Sequence, residues 1–333
     1  MATIKPIDSD VEMSDWAVER LGWVPTDKSI PNVKGFLGPI ALDLITRVEK
    51  QTGYPVQMRV VQPGDYGWLI SFYDGGEGID HILSLAPEAL HSGYLDHLVA
   101  QRCGIALRHF SLSPGDRRLY VRANKAKARE ILSTRASAIR AQLPKTFDIL
   151  GSRLVSLVAD YWIKTSGVIL NLAEGTRVDS WLHKEYPSLR SQQVRRYEED
   201  YSEWRETLEW CQSAGCPTAI TKRFDILSAA AFLFTAHLLR LDMPDLTSYI
   251  DDSGLSRKLF EEAWETRWDG PETDVSAAAR WAEYLGVPDW IEWATGSGVV
   301  VVPTTWEPSE NSSADLNSLR DPFIDHARQS LSR

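Results

Sequence analysis

The side chains able to do chemistry are few in this chain, and their spacing narrows what they can do. His97 and Gln101 stand one helical turn apart, with His109 two turns further on; His81 falls in a strand-like segment, and His183 follows Trp181. No pair has the H-x-x-x-H or C-x-x-C spacing of a strong zinc site, so hydrogen-bonded or exposed histidines are the better description. Cys211 and Cys216 (CQSAGC) lack partner cysteines and read as a loop thiol pair rather than a metal knuckle. Gly75, Gly76 and Gly78 have neither the helix nor the lysine of a phosphate loop and read as a hairpin turn. A G-x-S-x-G nucleophile elbow is absent, and Gly296-Ser297-Gly298 reads as a turn into a strand. Three cysteines in all make a disulfide framework a poor description and fit a reducing cytosol.

Charge narrows the partners. The segment Met243 to Arg333 holds seven Lys/Arg against seventeen Asp/Glu, so its surplus of ten equals the net charge of −10 of the whole chain. An acidic C-terminal third is repelled by phosphate, which argues against nucleic-acid binding there. The same third is rich in tryptophan: Trp264, Trp268, Trp281, Trp290, Trp293 and Trp306. Arg117 to Lys145 is the basic counterpart. It is either a solvated helical face paired within the chain, the reading we favour, or a face for nucleic acid or an acidic partner.

These residues have to be positioned by elements whose outlines are visible in the hydrophobic pattern. The 333 residues, 43% apolar and 25% charged, suit a globular protein of one large or two smaller domains. The N-terminus is acidic without an apolar core segment, unlike a signal peptide, and the longest near-apolar run, Ala229 to Leu241, is too short to span a membrane. A soluble, cytoplasmic protein is expected. Ile40, Leu42, Leu44, Ile45 and Val48 predict a helix over Pro39 to Thr52, ended by Gly53. Strands follow at Val56 to Val61, Trp68 to Tyr73 and His81 to Leu85, then a helix from Ser92 to Phe110. From Ala123 nearly everything reads as helix: Ala123 to Leu143, Phe147 to Leu172, Ser180 to Glu185, Ser191 to Cys211, Ile226 to Leu241, Gly254 to Trp268 and Val275 to Leu285. After Thr304 the chain is polar and proline-bearing, as a flexible tail would be.

The stretch His81 to Phe110 carries a resemblance. A strand runs through a short loop into a helix whose frame, Ala100-Gln101-Arg102-Cys103-Gly104-Ile105-Ala106-Leu107-Arg108, resembles the A-H-E-x-G-H-A-L-R helix of minimal zincin metallopeptidases of the ImmA/IrrE type. Ala100, Gly104, Ala106, Leu107 and Arg108 match; the chemical residues do not. In that family two histidines at i and i+4 bind Zn²⁺ and the glutamate is the general base. The first ligand position here is Gln101, a poor zinc ligand. The base position is Arg102, which accepts no proton, and the second ligand position is Ile105, which has no lone pair. Downstream, Val178 to Arg190 is similar to a W-L-x-x-E-Y-P-x-L-R segment of zincin-like proteins, and the resemblance then implies Asp179, or else Glu174, at the third-ligand position. It covers roughly residues 38–212.

An α+β fold is therefore expected: an arm over 1–36, a zincin-like helix/three-strand/helix unit over 37–112, a helical part over 113–250, a Trp-rich acidic helical subdomain over 251–304 and a tail over 305–333. The expected function is a catalytically inactive zincin-like protein in a bacterial cytoplasmic complex, with a protein partner, no cofactor, no metal and no membrane. Its peptide-binding element would be the edge strand His81, Ile82, Leu83, Ser84 and Leu85, open to β-augmentation. An active metallohydrolase with displaced ligands and a subunit of a nucleic-acid-handling defence or stress assembly are the alternatives. Arg102 is expected either in the former metal pocket, held by Asp179 or Glu174, or in solvent.

Overall fold

The computed structural model describes residues 33–60, 70–71, 81–85, 87–113, 116–122, 165–169, 171–213, 218–242, 254–288 and 291–295. Several sequence expectations lie outside them: the arm over 1–32, the amphipathic segment Ala123 to Leu143, most of Phe147 to Leu172, Cys216, Trp290, Trp306, Gly296 to Gly298 and the tail. Most of the basic stretch Arg117 to Lys145 lies outside them too. The described residues are mostly helical. None of their helices is long and apolar enough to cross a membrane.

The first helix, α1, is Pro39–Thr52, with the expected bounds. Its buried face is Ala41, Leu44, Ile45 and Val48, and proline opens its first turn. Gly53 closes it at φ 82°, its N–H donating to the Glu49 carbonyl at 2.9 Å; glycine alone takes that left-handed conformation without steric cost. Strands β1 (Val56–Val60), β2 (Ile70–Ser71) and β3 (His81–Leu85) follow. Then come the short α2 (Pro87–His91) and α3 (Leu95–Ser111).

The pairing corrects one expectation. β3 is not an edge strand. It pairs in parallel with β1 along its whole length, from Val56 opposite His81 to Val60 opposite Leu85. On its other side it pairs antiparallel with β2, Ile70 opposite Leu83 and Ser71 opposite Ile82. An added peptide strand needs a free row of N–H and C=O groups. β1 holds one side of residues 81–85 and β2 part of the other. The His81 side chain is buried, its Nε2 2.9 Å from Thr52 Oγ1, which adds to the strand's role as interior structure.

After β4 (Arg118–Arg122), helical residues 165–169 lead into a π-helical turn, Asn171–Gly175, and α4 (Thr176–Glu185). A 3-10 turn, Pro187–Leu189, leads to α5 (Arg190–Ser213), followed by α6 (Thr218–Leu239), α7 (Leu255–Glu265), α8 (Asp274–Tyr284) and β5 (Ile291–Thr295). β5 pairs antiparallel with β4, Arg118 opposite Thr295 and Arg122 opposite Ile291. Neither strand was expected, and β5 adds a strand at Ile291–Thr295 to the helical subdomain expected over 251–304.

Among the described residues three apolar cores hold the elements. The first joins α1, β1, β3 and α3 to Val178 and Leu182 of α4 and to Leu189, so it crosses the expected boundary at 112/113. The second joins Ile169, Leu172 and Ala173 to α6, α7 and α8, with Trp281 1% exposed, and it crosses the boundary expected at 250/251. Trp264 packs half-buried against it. The third is aromatic: Tyr197, Tyr201 and Trp204 of α5 against Phe232 of α6. Burying each large side chain contributes on the order of 1.5–3 kcal/mol.

Candidate functional site

Helix α3 is buried on nearly every face, and two of its buried residues are polar: His97 and Gln101, 3% and 8% exposed. Polar groups in such a place are costly unless hydrogen-bonded. Both find the same partner. The Gln101 Nε2 lies 2.9 Å from Asp179 Oδ1 and 2.9 Å from Oδ2, so one amide NH₂ serves both oxygens of the carboxylate. His97 Nε2 lies 3.2 Å from Asp179 Oδ1. The other end of the amide is fixed too, since Arg196 donates to Gln101 Oε1 at 2.7 Å and pairs with Asp200 at 3.3 Å.

Three elements bring these groups together. α3 supplies His97 and Gln101 one turn apart. α4 supplies Asp179, and α5 supplies Arg196 together with two glutamines that brace the neighbours. Gln192 Oε1 accepts the His97 backbone N–H at 3.1 Å, and Gln193 donates to the Asp179 carbonyl at 3.2 Å. α3 and α4 approach closely because position 104 is glycine. A Cβ there would meet Val178 Cγ1 at 2.5 Å and Trp181 Cζ3 at 3.3 Å.

The other expected positions are placed as follows. Ile105 is half-buried against the first core. Arg102 is half-buried; among the described residues it makes no ion pair and its Nε has no hydrogen-bond partner. This corrects the expected Arg102 pair with Asp179 or Glu174: the Asp179 carboxylate is taken by Gln101 and His97. Burial, then repulsion from Arg196, pulls the Arg102 guanidinium down to about 10, with Asp179 and Glu174 acting against this. It remains cationic at neutral pH and cannot be a base. Glu174, on the π-helical turn, is pushed up to about 7, first by burial and then by Asp274, against the pull of Arg108, Arg102 and Arg177.

A second polar centre lies further along the same two helices. Asp274 of α8, 6% exposed, receives Arg108 Nε at 2.6 Å and its second nitrogen at 2.8 Å, and also pairs with Arg177 of α4. Arg108 donates to the Asp269 carbonyl at 2.6 Å as well. Arg108 is one of the residues matching the zincin frame, and so are Ala100, Gly104 and Ala106. In this chain the first holds an ion pair and the other three are buried packing positions.

Sequence reasoning missed the α5 contribution. Its signal was present: Gln193, Tyr197, Tyr201 and Trp204 fall on one buried stripe, and a glutamine on such a stripe needs a partner. Asp274 carried no such signal, since an acid opening a helix reads as a favourable charge near the dipole. Among the described residues no group of three or more His, Cys, Asp or Glu is placed to hold a metal ion. The arrangement can bind and orient through charge-assisted hydrogen bonds. No family model, no curated protein and no solved structure matches the chain.

Proposed function

We propose that this chain is a catalytically inactive zincin-like protein that serves as a protein-binding, regulatory component of a bacterial cytoplasmic complex. On this reading α1, β1 to β3 and α3 form the helix/three-strand/helix unit, and α4 brings the third-ligand position. The observation that supports it is the direct contact of Gln101 with Asp179. The amide at the first-ligand position puts its N–H groups against both carboxylate oxygens, taking the role a bridging cation would have. Arg102 at the base position and Ile105 at the second-ligand position remove hydrolysis while the helix pair is kept. The degenerate site is then a rigid strut, and the activity left to the protein is binding.

A second reading, an active metallohydrolase with displaced ligands, is favoured by one contact, His97 Nε2 to Asp179 at 3.2 Å. Those are two ligands where a catalytic zinc takes three. Zinc titration by calorimetry separates the two. The wild type should bind no stoichiometric zinc. The Gln101→His, Arg102→Glu, Ile105→His triple variant should bind one, and adding Asp179→Asn should abolish it. Gln101→His alone should give weaker binding, because it completes a set with His97 and Asp179. Stoichiometric zinc on the wild type, lost with Asp179→Asn, would establish the second reading instead.

A further inference from the structure

A cleft of about 850 Å³ opens among the ends of α4, α6 and α7 and the start of α5, with neither Gln101 nor Asp179 among its described lining residues. Its charge is opposite to that of the chain. Among the described residues Lys184, Arg190, Arg240 and Arg267 line it against a single carboxylate, Asp242, in a protein of net charge −10. Among the described residues none of the three arginines makes an ion pair. Arg190 donates Nε to the His183 carbonyl at 2.9 Å, and Arg267 donates one nitrogen to the Trp264 carbonyl. His183 also lines the cleft; its imidazole is held below its ordinary range, first by burial, with Arg190 and Arg240 adding to it while its Gln193 bond opposes.

Aromatic surface stands beside these cations. The Arg267 guanidinium lies 3.8 Å from the Trp264 ring centroid and 5.5 Å from that of Trp268, and Lys184 Nζ lies 5.5 Å from Trp268. Trp268 is 54% exposed, an unusual state for the largest apolar side chain.

Arg240 adds an independent pointer. α6 ends in a Schellman motif: Leu241 N–H donates to the Ala236 carbonyl at 2.9 Å and Arg240 N–H to that of His237 at 3.3 Å. The residue at the left-handed position of that motif is ordinarily glycine. Here it is arginine at φ 57°, the one positive-φ residue other than glycine among those described. A side chain kept at a strained backbone position and lining a cleft of matching charge points to a task for it.

We infer that this cleft binds a mononucleotide, with its phosphates on Arg240, Arg190 and Lys184 and its base on the exposed face of Trp268. Guanidinium groups take phosphate oxygens bidentately, and an indole face stacks any base. The volume falls within the range of small-ligand pockets. An acidic peptide would use the cations but leave the tryptophan face unused.

Isothermal titration of the full chain with ADP, inorganic phosphate and a ten-nucleotide oligo-dT tests this. ADP should bind one site with Kd below about 1 mM, at least tenfold tighter than inorganic phosphate. Trp268→Ala and Arg240→Gly should each weaken ADP at least tenfold. Glycine fits the left-handed position, so Arg240→Gly should keep or raise the melting temperature while removing the cation. That separates lost binding from lost folding. The inference is overturned by the absence of ADP binding, by phosphate binding as tightly as ADP, by oligo-dT binding more tightly than ADP, or by ADP binding that neither variant weakens.

Discussion

Helices α3 and α4 are tied together twice, by different chemistry. At Gln101 and Asp179 the tie is a neutral amide on a carboxylate, with His97 and Arg196 around it. At Asp274 two guanidiniums, those of Arg108 and Arg177, close on one carboxylate. The amide tie sets one carboxylate, 19% exposed, against a neutral partner. The ionic tie buries three charges, and its desolvation cost is repaid only while every partner is present. The first centre is therefore expected to tolerate substitution and the second to resist it. Gly104 stands between them on α3 and sets the helix separation that both require.

The largest test breaks the ionic tie. Asp274→Ala leaves Arg108 and the nearly inaccessible Arg177 without their shared carboxylate, and should cost about 3–5 kcal/mol in urea unfolding. A loss below about 1 kcal/mol would mean the centre is not stabilising. Gly104→Ala should cost about 1–3 kcal/mol, because its Cβ would overlap Val178 and force the helices apart at both ties. Asp179→Asn keeps one oxygen for Gln101 and removes the charge, and should cost about 1–2 kcal/mol. If Asp179→Asn proves costlier than Asp274→Ala, the ranking of the two ties is reversed.

The smallest effect is a pH dependence, because Glu174 feels Asp274, Arg108 and Arg177 of the ionic tie, and Arg102. Its folded-state value of about 7 lies above its ordinary value of 4.5. The folded protein thus holds this proton more tightly than the unfolded chain does. The resulting stability is fully present below about pH 4.5, falls as pH rises to about 7, and is then absent. Glu174→Gln should flatten that fall and gain about 1 kcal/mol at pH 8 relative to wild type, with little change at pH 4. Thermal melts of both proteins at the two pH values measure it; an unchanged difference between them would show that Glu174 is not the titrating group.

The helical elements were legible because a helix is a local object. Ile40, Leu44, Ile45 and Val48 repeat at helical spacing, and Gly53 marks the stop, so α1 follows from its own residues. The two polar ties were only half legible. Gln101 and Asp179 were singled out, though through resemblance rather than spacing, while Arg196, Gln193 and Asp274 come from other helices. The place of β3 differs from the edge expected of it. Alternating side chains identify a strand but say nothing about which strands flank it, and β1 and β2 occupy both its sides. β4 was missed for the same reason, since its partner β5 lies near the other end of the chain.

By itself the sequence determined what the Gln101, Arg102 and Ile105 side chains can do, because an amide, a guanidinium and an alkyl group have the same donors and acceptors in any fold. It also determined most helix positions, since each turn is closed by neighbours a few residues away. The tertiary structure alone decided that Asp179 faces Gln101 rather than Arg102, and that one aspartate gathers two arginines. It also decided that Arg240 and Trp268 share a cleft. Those outcomes depend on which distant surfaces win in competition for burial, a free energy set by the packing of the whole chain and by no local window of residues.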